Sequence, residues 1–179
     1  ASIAMIPQNT VKLEGKQGYG RAAGVWQTIY LEARPPVALD TVHFTPDIDK
    51  EEVLVDVTLD QAAPAGMTFE LQFQPRDREQ SVVEQAVPAG KQEISFSVPL
   101  PKPRLWSLED PYLFEVRAVL RGDGGTDDVA TYFGMRKISV GTLPGTDLPY
   151  VMLNNKPIYL QLALDQAYHP DGFYTFPSD

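Results

Sequence analysis

The sequence predicts an all-β fold, an immunoglobulin-like antiparallel β-sandwich with extra N- and C-terminal strands. Apolar and polar residues alternate with a period of two through several short segments, as they do from Glu52 to Leu59. Turn residues separate these segments at the spacing that is typical of sandwiches. No segment shows a helical period, so the pattern favours two packed sheets over a helical or α/β fold.

The chain begins with 23 residues of no clear period, and a strand is predicted at 25–32, where Trp26 and Tyr30 share one face. Arg34-Pro35-Pro36 ends this strand. Seven sandwich strands are predicted next, at 41–45, 52–59, 67–73, 81–87, 92–98, 112–120 and 129–140. The strand at 81–87 is the weakest and is expected at an edge. The Gly- and Asp-rich residues 121–128 are expected to join the last two strands as a hairpin.

The C-terminal part contains a second predicted hairpin, with an Asn-rich turn between 150–153 and 158–160. An apolar extended run follows at 161–164 and ends in Asp165. Three domains are therefore expected: an N-terminal piece at 1–33, the sandwich at 34–141, and a linker, hairpin and first strand of a further domain at 142–179.

Composition excludes several classes of partner and site. The chain of 179 residues carries 15 Lys and Arg against 24 Asp and Glu, a formal charge of −9, so no basic surface is expected to bind nucleic acid. No cysteine is present, which excludes disulfides, thiolate metal sites and a cysteine nucleophile. No apolar run is long enough for a membrane span. The cellular compartment stays open.

Metal and catalytic sites are not expected. His43 and His169 are the only histidines, and His43 is expected on a strand face. Acidic clusters near residues 47–52 and 123–128 match no calcium loop and are expected to be solvated turns. No serine lies in a Gly-x-Ser-x-Gly elbow. We therefore predict no metal, no cofactor and no nucleophile.

Five aromatic residues offer either a sugar-stacking platform or core packing: Trp26, Trp106, Tyr112, Tyr132 and Phe133. Each falls where a sandwich needs core aromatics, and core packing is the expectation. Trp106 lies in the turn 105–113, and we expect it to anchor the last two sandwich strands.

Several ordered motifs resemble glycoside hydrolase family 2, which includes β-galactosidases, β-glucuronidases and β-mannosidases. The motifs lie at residues 24–32, 105–113, 133–137, 153–158 and 164–172. They are similar to the end of a sugar-binding jelly-roll, two signatures of the family's immunoglobulin-like domain, the hairpin before its catalytic (β/α)8 barrel, and the first barrel strand. Asn155 stands where the family usually has Gly, and Ala167 where Gly is common.

The resemblance implies an internal piece of a larger enzyme that acts on β-glycosides. The family's two catalytic glutamates would lie beyond Asp179, so no catalytic residue is assigned and the chain is expected to be inactive alone. Asp165 and Gln166 would reach the substrate in the parent enzyme, whose partner would be carbohydrate. Without the resemblance, Asp165 is equally a strand-ending residue in a turn.

Two other functions stay open: a free-standing carbohydrate-binding module that uses Trp26, or adventitious hydrolase activity in a fragment. The apolar strands at 25–32 and 150–164 would lack partners in an isolated piece. They predict self-association into a homo-oligomer or a rearranged packing of these segments.

Overall fold

The computed structural model describes residues 30–74 and 81–164, and these residues form ten β-strands and no helix. The strands are β1 (Leu39–Asp47), β2 (Glu52–Leu59), β3 (Met67–Phe73), β4 (Ser81–Val87), β5 (Glu93–Pro99), β6 (Phe114–Gly122), β7 (Gly125–Phe133), β8 (Ile138–Thr142), β9 (Pro149–Leu153) and β10 (Lys156–Pro157). None of the described residues builds a helix that could cross a membrane.

The first seven strands form the predicted antiparallel sandwich. One sheet has the order β1-β2-β5 and the other the order β4-β3-β6-β7. The all-β prediction is confirmed, and β4 lies at a sheet edge as expected. Two packed antiparallel sheets satisfy the main-chain hydrogen bonds while burying one face of each sheet.

The core lies between the two sheets and consists of the alternating residues that the period-two pattern selected. In β2 they are Val53, Val55, Val57 and Leu59, and in β3 they are Met67, Phe69, Leu71 and Phe73; all are buried. Full burial of each such side chain contributes roughly 1.5–3 kcal/mol. These two strands lie inside their sheets, which explains why their alternation is so clear.

The predicted strand at 129–140 is wrong in its extent, because the chain leaves the sandwich within it. Strand β7 ends at Phe133 and β8 begins at Ile138. Between them Met135 is fully buried, and its carbonyl accepts the Trp106 N–H at 2.9 Å. At Met135 the hydrogen bond from Trp106, which is not in a strand, therefore takes the place of pairing with a neighbouring strand.

The predicted loop at 121–128 is mostly strand. Gly122 pairs with Gly125, so the connection is only two residues long. Asp127 and Asp128 are poor strand formers, but each has a specific partner. An Asp127 carboxylate oxygen accepts the Leu39 N–H at 2.8 Å, and Asp128 forms an ion pair with Arg117.

Beyond the sandwich, β8, β9 and β10 form a small antiparallel sheet with β9 in the centre. The second arm of the hairpin lies earlier than predicted: β10 is Lys156–Pro157, within the predicted turn, and residues 158–164, which include the predicted arm at 158–160, are not in a strand. Most of the predicted strand at 25–32, with Trp26, lies outside the described residues. Residues 33–160 form one compact unit, and the predicted domain boundaries stay predictions.

Candidate functional site

The turn at 104–113 is closed by its own polar groups. Arg104 donates two hydrogen bonds to the Asp110 carboxylate, at 2.8 and 2.9 Å. The Ser107 N–H donates to the Asp110 carbonyl at 2.9 Å, and the Asp110 N–H donates to Ser107 Oγ at 3.1 Å. Pro111 keeps Asp110 away from the helical region. The turn therefore enters β6 in a defined geometry.

Trp106 connects this turn to two other segments. Its backbone N–H donates to the Met135 carbonyl, and its own carbonyl accepts a hydrogen bond from the Asn154 side-chain amide at 2.9 Å. The Arg136 guanidinium lies over the indole, 4.9 Å from the ring centroid, a cation–π contact. The predicted anchor thus reaches the β9–β10 hairpin as well as the end of the sandwich.

Asn154 is the centre of these connections. Its Oδ1 accepts the Lys137 N–H at 3.0 Å, and its own N–H donates to the Lys137 carbonyl at 2.8 Å. Next to it, Asn155 donates to Asp49 Oδ1 at 2.7 Å, and Lys137 Nζ forms an ion pair with Asp49. We call Asp49, Trp106, Lys137, Asn154 and Asn155 the corner network. It fastens the hairpin to the β1–β2 turn.

The electrostatics of this region favour ionised carboxylates. Hydrogen bonds from Lys137 and then Asn155 lower the pKa of Asp49 below its ordinary value. The bidentate contact with Arg104 lowers the pKa of Asp110. Both carboxylates remain in contact with solvent, so screening limits their contribution to stability. They hold neighbouring segments in place and are not tuned for proton transfer near neutral pH.

The acidic clusters prove to be parts of turns and ladders. Asp47 accepts the N–H groups of Asp49 and Lys50, and Glu51 accepts the Lys102 N–H at 3.0 Å. His43 is exposed on a strand face opposite Asp56, as predicted. Among the described residues no group of three or more potential ligands is arranged for a metal ion. Asp165 and Gln166 lie outside the described residues.

The aromatic residues divide between core and surface. Phe133 stacks on Phe44 and Phe114, with ring centroids 4.8 and 5.1 Å apart, which agrees with the expected core role. For Tyr132 that expectation is wrong, since its side chain is 64% exposed. Adjacent strand residues point to opposite faces, so only one of this neighbouring pair could enter the core.

Tyr132 borders a cleft of about 430 Å³ between the edges of β1 and β7. We call it the edge cleft; Phe44, Trp106, Leu113, Tyr132 and Arg136 line it. A cleft of about 540 Å³ beside β4 and β5 is lined by residues of both charge signs and by no aromatic side chain. Tyr132 and Arg136 lie close together in the sequence, but their shared position at the edge cleft becomes apparent only once β7 is known to end at Phe133.

A model of the family described as Glycosyl hydrolases family 2 matches residues 37–136, more than half of the chain. The chain belongs to glycosyl hydrolase family 2. The matched residues cover most of the sandwich and end at the cleft arginine, Arg136.

Curated relatives and solved structures agree with this membership. A beta-galactosidase of Pseudoalteromonas haloplanktis is 24% identical over 84% of this chain, and one of Halalkalibacterium halodurans is 26% identical over 62%. The chain spans only 15% and 11% of those two proteins.

Solved structures of this family share the fold. A β-galacturonidase from Eisenbergiella tayi, determined with bound galacturonate, matches 79% of this chain with a TM-score of 0.55 and 24% identity. An unliganded β-glucuronidase from Ruminococcus gnavus matches 79% with a TM-score of 0.52 and 16% identity. The chain covers about a quarter of each of those structures, at 24% and 22%.

Proposed function

We propose that this chain contributes the non-catalytic β-sandwich of a larger family 2 glycosidase acting on β-glycosides, and that the sandwich braces the segment that follows it. The corner network carries this proposal. It joins the β1–β2 turn, the 104–113 turn and the β9–β10 hairpin through side chains. A hairpin held at several points gives the chain after Pro157 a fixed starting position and direction.

Carbohydrate is the proposed partner of the whole enzyme. The names of the curated relatives support β-galactoside chemistry, while the structural relatives are named for uronic acid glycosides. Asp165 and Gln166 are proposed to reach the substrate in the larger protein. Glycosidases of this kind use a pair of carboxylic acids, and we place that pair outside this chain.

An activity assay tests the non-catalytic role. The purified chain should give no turnover of nitrophenyl β-galactoside, β-glucuronide or β-galacturonide above the buffer rate. Turnover that Asp165→Ala abolishes would overturn the proposal and favour hydrolase activity in the fragment itself.

Hydrogen exchange tests the bracing role, with Asn154→Asp as the variant. The carboxylate keeps the acceptor for the Lys137 N–H but loses the donor to the Trp106 carbonyl and places two acceptors face to face. We expect a loss of about 1–3 kcal/mol and at least tenfold faster exchange of the amides in β9. Amides in β2 and β3 should change much less. Uniform acceleration across both sheets would contradict a local fastening role.

His43→Ala is the matched control for that experiment. His43 is exposed on β1, outside the corner network, and its removal should leave the exchange of β9 unchanged. Comparable acceleration in both variants would show that β9 reports general stability and not its attachment.

A further inference from the structure

Among the described residues, Arg136 is the only charged one that lines the edge cleft. Its described contact is with the Trp106 ring, and no carboxylate among the described residues lies within ion-pair distance of it. Three other arginines of the sandwich do have such partners: Arg104 with Asp110, Arg117 with Asp128 and Arg121 with Glu70. Stacking on the indole holds the guanidinium plane while leaving its N–H donors at the rim.

The walls of the cleft are apolar and aromatic. Tyr132 presents most of its ring to solvent, and Leu113 is 41% exposed beside it. Gly134 also lines the cleft, and a Cβ there would lie 3.4 Å from the Trp106 Cβ, in ordinary van der Waals contact, so the absence of a side chain leaves space beside Trp106. A volume of about 430 Å³ lies within the usual range for small-molecule sites, roughly 300–1,000 Å³.

We propose that the edge cleft binds a hexuronate, a pyranose ring that bears a carboxylate. The guanidinium of Arg136 would donate two parallel hydrogen bonds to the carboxylate, a geometry that matches arginine well. The C–H face of the sugar ring would pack on Tyr132, since aromatic faces cover apolar sugar surface while the hydroxyl groups remain in water.

Charge complementarity selects this ligand over its neutral counterpart. Among the described residues Arg136 has no carboxylate partner, so its charge provides a local attraction for an anion in an otherwise apolar cleft, although the whole chain carries a formal charge of −9. A neutral hexose leaves the guanidinium without its preferred partner. A simple inorganic anion makes no use of the aromatic wall.

The binding and the bracing role use different atoms, because the one residue that they share, Trp106, contributes its backbone carbonyl to the corner network and its side chain to the edge cleft. A cleft that binds no sugar leaves the hairpin attachment intact, and a loosely attached hairpin does not remove Tyr132 or Arg136. Different measurements therefore test the two proposals, and the failure of one does not imply the failure of the other.

Titration of the full-length chain tests the site, followed by ¹H–¹⁵N NMR shifts and by calorimetry. D-galacturonate and D-glucuronate are the ligands, D-galactose and D-glucose the neutral counterparts, and acetate the carboxylate without a ring. We expect saturable uronate binding with a Kd in the millimolar range, about 1–10 mM. The neutral sugars and acetate should bind at least tenfold more weakly. Shifted amides should lie at residues 132–136.

Variants assign the two contacts. Arg136→Gln and Tyr132→Ala should each weaken uronate binding at least tenfold, and both residues are exposed, so the fold should persist. Lys91→Gln removes one positive charge outside the edge cleft and is the matched control, with unchanged binding. Near-ultraviolet circular dichroism confirms folding of each variant.

Four outcomes would overturn the proposal. These are the absence of saturable uronate binding, equal affinity for the neutral hexoses, equal affinity for acetate, and uronate binding that survives Arg136→Gln. Equal affinity for acetate would mean that Arg136 binds any carboxylate, including those of acidic peptides.

Discussion

Asn154 and Asn155 form a two-residue turn in which both residues adopt the left-handed conformation, with φ of 50° and 64°. Two such residues give the type I′ geometry that suits a tight hairpin. Asparagine tolerates this region better than most residues. At Asn154 the side chain makes the interactions that join three segments, whereas at Asn155 it makes one exposed hydrogen bond. The two positions therefore differ in what a substitution removes.

Replacement of Asn155 by Ala and by Gly separates the backbone effect from the side-chain effect. Both variants lose the hydrogen bond to Asp49, but only Ala pays the conformational cost of positive φ. We expect Asn155→Ala to be less stable than Asn155→Gly by about 1 kcal/mol. Urea unfolding of both proteins measures the difference. Equal stabilities would show that the turn relaxes out of the left-handed region.

At the scale of elements, Phe133 joins the two sheets where their edges meet. It lies at the end of β7, stacks on Phe44 of β1 and on Phe114 of β6, and contacts Phe73 of β3 edge-to-face at 6.2 Å. Strands β1 and β7 belong to different sheets and share no ladder. The contact between Phe133 and Phe44 therefore brings together β7 and β1, which no described ladder hydrogen bonds connect.

Phe133→Ala should destabilise the protein by about 3–5 kcal/mol, because it leaves a cavity among rings that cannot fully collapse. Phe133→Leu retains most of the volume and should cost roughly half as much. Chemical denaturation gives both values. Exposed Tyr132 provides the control, since Tyr132→Ala should change the free energy of unfolding by less than about 1 kcal/mol. A large loss in that control would mean that Tyr132 is packed.

For the whole molecule, acidic residues set the response to pH. Hydrogen bonds from basic partners or backbone N–H groups lower the pKa of Asp47, Asp49, Glu70 and Asp110 in the folded chain. Ordinary values are 3.8 for Asp and 4.5 for Glu. The unfolded chain therefore takes up protons first as the pH falls, which favours unfolding.

Stability should be constant from neutral pH down to about pH 5.5 and should then decrease through the ordinary carboxyl range and below it. Thermal unfolding at successive pH values measures this. Asp110→Asn removes one of the responsible groups, so its stability should be lower at pH 7 but should change less between pH 7 and pH 3. A wild-type Tm that is the same at pH 7 and pH 3 would contradict the expectation.

The local alternation of apolar and polar residues was sufficient to predict the sandwich strands but not the corner network. Strands β2 and β3 have one buried face each, and their alternation is visible in the sequence. The corner network joins Asp49 to residues 88 and 106 positions away, and no local spacing encodes such contacts.

The burial of a residue on the outer face of β6 also could not be predicted from the local sequence. Val119 points away from the core yet is only 1% exposed. It lies between Glu70 and Asp128 in the ladder, and both of these form ion pairs with arginines of β6. The long arginine stems cover apolar surface while their charges stay in water. The exposure of Tyr132, by contrast, follows from local alternation once Phe133 is known to be the residue of this pair that enters the core.

The attachment points of the sandwich determine how it would respond to mechanical load. Its leading segment is held at one end of β1, where Leu39 binds Asp127, and the hairpin is held beyond the other end, at Asp49. Strand β1 spans roughly 26 Å between these ends. Tension between the two attachments would run along the strands and shear the β1–β2 ladder, loading its hydrogen bonds together instead of opening them one by one. The sandwich is thereby expected to extend little under such a load.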